Sequence, residues 1–275
     1  MSITVTPLSQ ACGAAITGVD LSEPLDAATL AEIREAWLRH VMVVFPGQSL
    51  DADQQTAFAR HFGEIERVKS STSATEQQPH VMFISNVRDA GLRTALEDGE
   101  MQFHSDQCYY ECPAKATTLF AIEVPKDGGD TLFSNCYLAY DTLPTAVRAR
   151  LEGKGALNVY DYGANSTVRA KEPSADAPRY VHPVFRTHPE TGRKAIYVNR
   201  LMTERIEGMD PAESAELLEV LFGSVENPAF VYTHRWTPGD LLMWDNRCSL
   251  HARTDFPPDQ RRMMRRVAIR GDRPF

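Results

Sequence analysis

The spacing of apolar side chains predicts two amphipathic helices near the start of the chain, with a short strand between them. The first helix is predicted over Asp26–His40, where apolar residues recur every three or four positions behind an aspartate that can cap the first turn. The second is predicted over Asp51–Phe62, because its first residue and Gln54 are spaced as in a capping box and Gly63 follows. Between them, the apolar run Val41–Phe45 predicts a buried strand.

Most of the remaining pattern is typical of short strands separated by glycine or proline turns. Strands are predicted over Val81–Ser85, Ala116–Val124, Thr131–Phe133, Ala229–Trp236, Asp240–Asp245 and Arg262–Arg270. Two further helices are predicted over Pro144–Leu151 and Pro211–Phe222, the second ended by Gly223. This order of elements favours a mainly β fold, in which helices flank a closed or sandwiched β core. No internal repeat or linker interrupts the pattern, so we expect residues 1–275 to form a single domain.

Composition and charge narrow the class of protein. A net charge of −8 and a pI near 5.5 argue against a general nucleic-acid binder. No apolar run reaches the ~18 residues of a membrane-spanning helix, and the first residues lack the basic and apolar stretches of a signal peptide. The five cysteines are an odd number without regular spacing, which is typical of reduced thiols. We therefore expect a cytoplasmic protein that binds neither nucleic acid nor membrane.

The segment Phe103–Asp106 offers an imidazole and a carboxylate two residues apart. In an extended strand His104 and Asp106 project to the same face, with Cα atoms roughly 6.5 Å apart, so both can reach one metal ion. Two histidines and one carboxylate on one face of an octahedron suit non-haem Fe(II) and O₂ chemistry. His251 is the best-placed third ligand, because it ends a strand-like run that starts at Gly239. Taken alone, a histidine at a strand end is more often a surface residue.

A basic strand follows this histidine. If residues 262–270 are extended, Arg262, Met264 and Arg266 share one face, while Arg265 lies on the other. Apolar residues alternate with the arginines, so part of the strand is buried, and a buried guanidinium requires an anion. The fork of an arginine suits a carboxylate held by two hydrogen bonds, as an exogenous dicarboxylate beside a metal would be. The other interpretation is a solvated or nucleic-acid-binding basic strand.

An alternative metal site combines His104 with Cys108 and Cys112, whose spacing permits zinc ligation. No second cysteine or histidine pair stands at the usual zinc-site separation, which disfavours this site. The simpler interpretation is that both cysteines are small, partly buried residues on a strand and the turn after it.

Several short motifs, taken together, resemble the taurine dioxygenase / 2,4-D dioxygenase family of Fe(II)- and 2-oxoglutarate-dependent oxygenases. The resemblance runs from about residue 3 to the end of the sequence, and the motifs agree in order and spacing along it. These motifs are Gly18–Leu21, Phe62–Glu64, His104–Asp106, Gly128–Thr131, Trp244–Arg247, Leu250–His251 and Arg261–Arg266.

The resemblance implies a fold, a metal site and a cosubstrate site. The fold would be a distorted jelly roll, also called a double-stranded β-helix, of the cupin-like kind. Fe(II) would be bound by His104, Asp106 and His251. The distal carboxylate of 2-oxoglutarate would be bound by Arg262 and by the hydroxyl of Thr131.

It also implies a reaction and a class of substrate. O₂ would convert 2-oxoglutarate to succinate and CO₂ while a small anionic organic substrate is hydroxylated. This substrate would be a carboxylate, a phenoxyalkanoate or a sulfonate-like acid, with Arg266 at its acidic group and Gln107 lining its pocket. Since members of the family are usually oligomeric, we expect a homo-oligomer, either a dimer or a tetramer.

Two positions depart from the taurine-binding pattern of the family. Val68 stands where the taurine enzyme has a histidine, and Glu100 stands where it has an asparagine. Valine cannot hydrogen-bond a sulfonate, and an ionised glutamate repels an anion, so taurine is disfavoured and a larger, partly aromatic or aliphatic carboxylate is favoured. Tyrosines that could add aromatic surface to the pocket, or equally be ordinary core residues, are Tyr109, Tyr110, Tyr160 and Tyr162.

Two other functions remain compatible with the same ligands. One is a metal-binding jelly-roll protein without turnover, which would have no need of a cosubstrate site at Thr131 and Arg262. The other is a zinc hydrolase, which would not need Arg262 on the inward face. A change in the spectrum of the bound metal on adding 2-oxoglutarate would distinguish these functions from the oxygenase.

Overall fold

Strands outnumber helices in the computed structural model, which describes residues 3–68, 78–87, 94–95, 101–161 and 173–275. The strands are β1 (Thr4–Pro7), β2 (Ala14–Thr17), β3 (Met42–Phe45), β4 (Val81–Ser85), β5 (Thr94–Ala95), β6 (Met101–His104), β7 (Ala114–Glu123), β8 (Thr131–Asn135), β9 (Gly155–Val159), β10 (Arg179–Pro183), β11 (Phe185–Thr187), β12 (Lys194–Ile196), β13 (Thr203–Ile206), β14 (Val231–His234), β15 (Leu241–Asp245), β16 (Ser249–Arg253) and β17 (Met263–Arg270). The helices are α1 (Ala27–His40), α2 (Ala52–Arg60), α3 (Cys136–Thr142), α4 (Thr145–Leu151) and α5 (Pro211–Val225). Within these ranges, no helix combines the length and the apolarity needed to cross a membrane.

The two N-terminal helices form where the sequence predicts them. The side chain of Asp26 accepts a hydrogen bond from the backbone N–H of Thr29 and caps α1. The capping box of α2 is complete, since Asp51 accepts from the N–H of Gln54 and the Gln54 side chain accepts from the N–H of Asp51. Helix α2 ends at Arg60, slightly earlier than predicted.

Two sheets bring distant parts of the chain side by side. The larger sheet has the strand order β1-β2-β3-β15-β7-β17-β4-β5, and the smaller has the order β14-β8-β16-β6. The pairings within the smaller sheet are antiparallel, as are those of β7 with both β15 and β17. The motifs predicted to carry function therefore converge, although more than a hundred residues separate the first from the last.

Alternate residues of the larger sheet face two different cores. On β15, Leu242 and Trp244 pack with Phe133 of the smaller sheet, so the inner faces of the two sheets form one core. Leu241 and Met243 point the other way and join the side chains of α1 and α2 in a second core. The prediction of a mainly β fold with flanking helices is confirmed.

Strand β15 confirms the strand predicted over Asp240–Asp245, but the longer strand-like run from 239 to 251 is not continuous. A turn at residues 246–248 separates β15 from β16, so His251 lies in the middle of β16 and not at a strand end. Asp245 stabilises this turn, because its side chain accepts a hydrogen bond from the N–H of Arg247 and its carbonyl accepts one from the hydroxyl of Ser249.

Two helical segments also differ from prediction. Helix α3 was not predicted, although Asn135 is an ordinary N-cap whose side chain accepts from the N–H groups of Tyr137 and Leu138. Helix α5 continues through Gly223 to Val225, so the predicted stop at this glycine is wrong. Val225 is fully buried in the core between the sheets, and this burial offsets the ~1 kcal/mol cost of a glycine inside a helix.

Candidate metal centre

Three side chains converge at the smaller sheet and the turn that follows β6. His104, Asp106 and His251 each offer one ligand atom, and these atoms all lie within 4.8 Å of one another. Strands β6 and β16 pair with His251 opposite His104, which brings the two imidazole ring centroids to 4.1 Å. The three residues that the sequence singles out are therefore brought together by the fold.

His104 and Asp106 do not lie on one strand, so the prediction that they project from the same strand face is wrong. Strand β6 ends at His104, and Asp106 lies in the turn that follows. The carboxylate reaches the imidazoles because this turn folds against the β15–β16 turn, where the hydroxyl of Ser105 donates to the carbonyl of Asn246 over 3.0 Å. Cys108 also lies in the turn and not on a strand, so that part of the cysteine prediction is wrong.

Both imidazoles are in the form that binds metals. Nδ1 of His104 lies 2.9 Å from the carbonyl oxygen of Gln102, to which it donates when protonated, and this orientation leaves Nε2 free for a metal. Burial lowers the pKa of His104, and burial together with His104 lowers the pKa of His251 to about 3. Neutral imidazoles with available lone pairs are what ligation requires.

Asp106 is held as a carboxylate by its neighbours. Burial opposes ionisation of Asp106, but the Arg266 guanidinium and the two imidazoles outweigh it and keep the pKa of this carboxyl below its usual range. Oδ2 accepts a hydrogen bond from the hydroxyl of Thr117 over 2.5 Å and one from Arg266 over 3.0 Å. Neither Thr117 nor the contact with Arg266 was foreseen from the sequence, because both depend on the alignment of β7 and β17 beside the turn.

Arg262 is a buried guanidinium immediately before β17, the strand that carries Arg266. Only 2% of the residue is exposed, and its Nε has no hydrogen-bond partner among the described residues. Burial and the nearby charge of Arg253 lower the pKa of Arg262 to about 9, which leaves it charged at neutral pH. An isolated buried charge is costly, so this arrangement is typical of a binding site for an anion.

The turn before β8 approaches the stem of this arginine closely. Gly129 has a φ of +69°, and a Cβ at this position would lie 3.3 Å from Nε of Arg262 and 2.8 Å from Cγ of Pro125. Only glycine leaves this space open without backbone strain. Thr131, two residues further on, is buried, and its hydroxyl accepts a hydrogen bond from Nε1 of Trp236 over 2.9 Å.

Two neighbouring arginines of β17 make contacts on opposite faces, as the sequence predicts. Arg266 donates to Asp106, whereas Arg265 donates from Nε to Oε1 of Gln55 over 2.7 Å. Arg262 lies immediately before β17. Arg261 is exposed and pairs with Glu123. A uniformly solvated basic strand is therefore excluded, since Arg262 and Arg265 are buried.

A second group of potential ligands has a different role. His188, Asp245 and Cys248 also lie within 4.8 Å of one another and are buried. However, Asp245 accepts hydrogen bonds from Nε and Nη2 of Arg247 and from His188, so its oxygens are already occupied. Nδ1 of His188 accepts from the N–H of Thr191, so both nitrogens of this ring are occupied as well. Within the described ranges, Cys108 and Cys112 form no such group with His104, which disfavours the predicted zinc alternative.

The predicted substrate residues lie around the turn after the metal motif. Gln107 has a φ of +62°, and its Oε1 is buried without a hydrogen-bond partner in the described part of the chain. The ring of Tyr109 lies 4.6 Å from that of Tyr110 and 4.5 Å from that of Tyr160. Val68 is partly buried. Two positions that figured in the sequence argument, Glu100 and Tyr162, fall outside the described residues.

Comparison with known proteins identifies the family. Residues 4–268 match the family model described as "Taurine catabolism dioxygenase TauD, TfdA family". The chain belongs to the TauD/TfdA family. It is 36% identical to the (S)-phenoxypropionate/alpha-ketoglutarate-dioxygenase of Sphingobium herbicidovorans, an alignment that covers 98% of this chain and 95% of the relative. It is 33% identical to the pentalenolactone F synthase of Streptomyces avermitilis, with 100% and 95% covered.

A solved structure supports the same assignment. AAD-2, determined in complex with Mn(II) and N-oxalylglycine, superposes with a TM-score of 0.83 at 29% identity, and the match covers 100% of this chain and 99% of that one. This TauD/TfdA-family chain is a 2-oxoglutarate-dependent dioxygenase, and the predicted class of enzyme is confirmed. Relatives at similar identity carry the names of different compounds, so similarity alone does not select a substrate.

Proposed function

We propose that His104, Asp106 and His251 hold Fe(II) in this TauD/TfdA-family dioxygenase. The observation that carries this proposal is the convergence of two imidazoles and one ionised carboxylate within 4.8 Å. Two histidines and one carboxylate are the ligand set suited to an iron that must keep positions open for O₂ and a cosubstrate.

Arg262 and Thr131 are proposed to bind the distal carboxylate of 2-oxoglutarate. In the part of the chain that the structure describes, Nε of the buried Arg262 has no hydrogen-bond partner, and a bidentate carboxylate would supply one. The space that Gly129 leaves beside this arginine supports the assignment. Neither a non-catalytic binder nor a zinc hydrolase accounts for this second anion site, and the related enzymes support the oxygenase alone.

The chemistry divides between the bound groups and the chain. Iron and 2-oxoglutarate, when bound, would supply the oxidising power, with conversion of 2-oxoglutarate and O₂ to succinate and CO₂ and hydroxylation of the substrate. The chain orients the participants. Arg262 lies immediately before β17 and Arg266 within it, about 13 Å apart if the chain between them is extended, so they can hold two different anions.

The architecture that we infer is the distorted jelly roll. It is supported by the mainly antiparallel strands in two sheets whose inner faces share one core. It is also supported by the position of the candidate ligands on the smaller sheet and the turn next to it, as expected for a site at the end of a barrel.

The substrate is proposed to be a small organic acid that carries an aromatic or aliphatic group. Arg266 would meet the acidic group, and Tyr109 with its neighbouring tyrosines would contact the apolar part. Gln107 adds an amide oxygen that is available for a hydrogen bond. A relative named for phenoxypropionate supports a carboxylate of this kind.

Release of succinate tests the substrate class. The enzyme with Fe(II) and 2-oxoglutarate is supplied in turn with phenoxyalkanoates, aliphatic carboxylates, sulfate esters and taurine. We expect phenoxyalkanoates or other aryl or alkyl carboxylates to raise succinate release well above the substrate-free background, and taurine to leave it unchanged. If none of the acids raises succinate release, the anionic substrate is wrong. If taurine raises it most, the argument from Val68 is wrong.

A further inference from the structure

A chain of buried hydrogen bonds leads from the β15–β16 turn to the carboxylate of Asp106. Nε1 of Trp244 donates to Oδ1 of Asn246 over 2.9 Å, and Nδ2 of Asn246 donates to Oγ1 of Thr117 over 3.1 Å. The hydroxyl of Thr117 then donates to Oδ2 of Asp106 over 2.5 Å. Trp244, Asn246 and Thr117 are each no more than 1% exposed, so water does not compete for these bonds.

The direction of every bond in this chain is fixed by its first member. An indole N–H can only donate, so the amide atom that faces Trp244 must be the oxygen of Asn246. The amide nitrogen consequently faces Thr117 and donates to its hydroxyl oxygen. The hydroxyl hydrogen of Thr117 is thereby left for Asp106, which accepts it.

These hydrogen bonds occupy one carboxylate oxygen of Asp106, the proposed metal ligand. Oδ2 of Asp106 receives hydrogen bonds from Thr117 and from Arg266, so its lone pairs are already engaged by two donors. Oδ1 remains as the oxygen for ligation. A carboxylate free to turn could bind through both oxygens and so occupy a position that O₂ or the cosubstrate requires.

We propose that Thr117 and Asn246 are positioning residues that make Asp106 a one-oxygen ligand. The proposal rests on the assignment of Asp106 to the metal. Asn246 contributes a second restraint, because its carbonyl accepts the hydroxyl of Ser105, the residue between the two proposed ligands His104 and Asp106. One asparagine therefore fixes both the backbone and the carboxylate of the metal motif against the turn that leads into β16.

Strand β7 offers a matched pair of variants for the test. Thr117 and Thr118 are adjacent, both are fully buried, and both use their hydroxyls in hydrogen bonds. Thr118 accepts from Nε2 of Gln55 on the opposite face of the sheet, away from Asp106. Thr117→Val and Thr118→Val each remove one threonine hydroxyl and retain nearly the same side-chain volume. Only Thr117→Val breaks the series of hydrogen bonds to Asp106.

Binding of Co(II) to the metal-free protein is the readout, and it does not depend on catalysis. Isothermal titration calorimetry gives the affinity, and the intensity of the visible bands of Co(II) reports the number of ligands. We expect Thr117→Val to weaken binding by about 10- to 100-fold and to change these bands, as is usual when a residue that orients a ligand is removed. Thr118→Val should leave both unchanged, and Thr117→Ser, which restores a hydroxyl, should return both towards wild type.

Three outcomes would overturn the proposal. They are wild-type affinity and bands in Thr117→Val, equal losses in Thr117→Val and Thr118→Val, and a failure of Thr117→Ser to restore binding. If Thr117→Val does not fold, as judged by circular dichroism, Thr117→Ala and Thr118→Ala supply the same comparison. Failure of the wild-type protein to bind Co(II) would instead contradict the proposed metal site itself, so the two failures are distinguishable.

Discussion

The guanidinium of Arg266 donates to the carboxylate of Asp106, with 3.0 Å between Nη2 and Oδ2. The two side chains are only 12% and 13% exposed, so solvent screens this ion pair weakly. The sequence assigned Arg266 to the acidic group of the substrate and Asp106 to the metal. Their contact means that one arginine can touch both, which couples occupation of the substrate site to the orientation of a metal ligand.

Replacement of Arg266 should therefore weaken the binding of Fe(II) as well as the binding of the substrate. We expect Arg266→Ala to raise the substrate concentration needed for half-maximal turnover. We also expect it to raise the Fe(II) concentration needed for substrate-free succinate release, by about tenfold, since Asp106 loses one of its two donors. Arg270→Ala is the control, because Arg270 is on the same strand but is exposed and pairs with Glu64. If Arg266→Ala needs no more Fe(II) than the wild-type enzyme, Arg266 has no role in orienting Asp106 for the metal.

Removal of the Arg262 side chain should selectively weaken the binding of 2-oxoglutarate. We expect Arg262→Ala to raise the KM for 2-oxoglutarate by about 100-fold, because loss of a buried, charge-assisted pair costs roughly 3 kcal/mol. Fe(II) binding without 2-oxoglutarate should change little. The neighbouring Arg261→Ala removes an exposed arginine that pairs with Glu123 and should leave the KM unchanged. Steady-state kinetics with varied 2-oxoglutarate measure both variants, and equal effects would contradict the assignment.

Gly129 should be needed for the shape of the same site. An alanine there has an unfavourable φ and places Cβ against Pro125 and Arg262. Gly153 has a similar φ of +72°, but a Cβ there would meet nothing within 4 Å. Both alanine variants should lose about 1–2 kcal/mol of unfolding free energy from backbone strain. Only Gly129→Ala should also raise the KM for 2-oxoglutarate, and a rise in Gly153→Ala as well would show that strain alone is responsible.

The ion pairs of Asp245 should make stability depend on pH. Burial opposes ionisation of Asp245, but Arg247 and His188 outweigh it and hold its pKa well below its usual range. A lowered pKa in the folded state stabilises the protein above the unfolded pKa, about 3.9, and this contribution is lost as pH falls through the folded pKa. We expect Asp245→Asn to lower the unfolding free energy at pH 7 by about 3–5 kcal/mol.

The difference between wild type and Asp245→Asn should then shrink by up to about 1.4 kcal/mol per pH unit below about pH 4. Urea unfolding between pH 7 and pH 3 measures it. Asp141→Asn is the control, since Asp141 is 55% exposed and pairs with an exposed Arg193. A constant difference between Asp245→Asn and wild type across this range would exclude Asp245 as the source of the pH dependence.

The sequence indicated which candidate ligands come together, but not what surrounds them. The fold brings His104, Asp106 and His251 within 4.8 Å of one another, although Asp106 lies in a turn and not on the predicted strand. The motif Trp244–Arg247 was also recognised, but without a role for its members. Those roles depend on contacts across more than a hundred residues, such as that of Asn246 with Thr117, which no local pattern encodes.

Errors in the elements have similarly physical causes. The predicted strand-like run passes through Asp245 and Ser249, and nothing in its periodicity shows that the Asp245 side chain and carbonyl form a turn there. The stop predicted at Gly223 failed because burial of Val225 outweighs the helix propensity of one glycine. Local hydrogen bonds decided the outcome at the Asp245 turn, and a tertiary contact decided it in α5.

The most direct test of the account is the visible spectrum of the metal-free protein under anaerobic conditions, as Fe(II) and then 2-oxoglutarate are added. We predict a charge-transfer band that appears only when both are present, since 2-oxoglutarate would bind the iron held by His104, Asp106 and His251. Arg261→Ala should show the same band, whereas Asp106→Ala should not. Absence of the band in the wild-type protein, or an undiminished band in Asp106→Ala, would contradict the proposed centre.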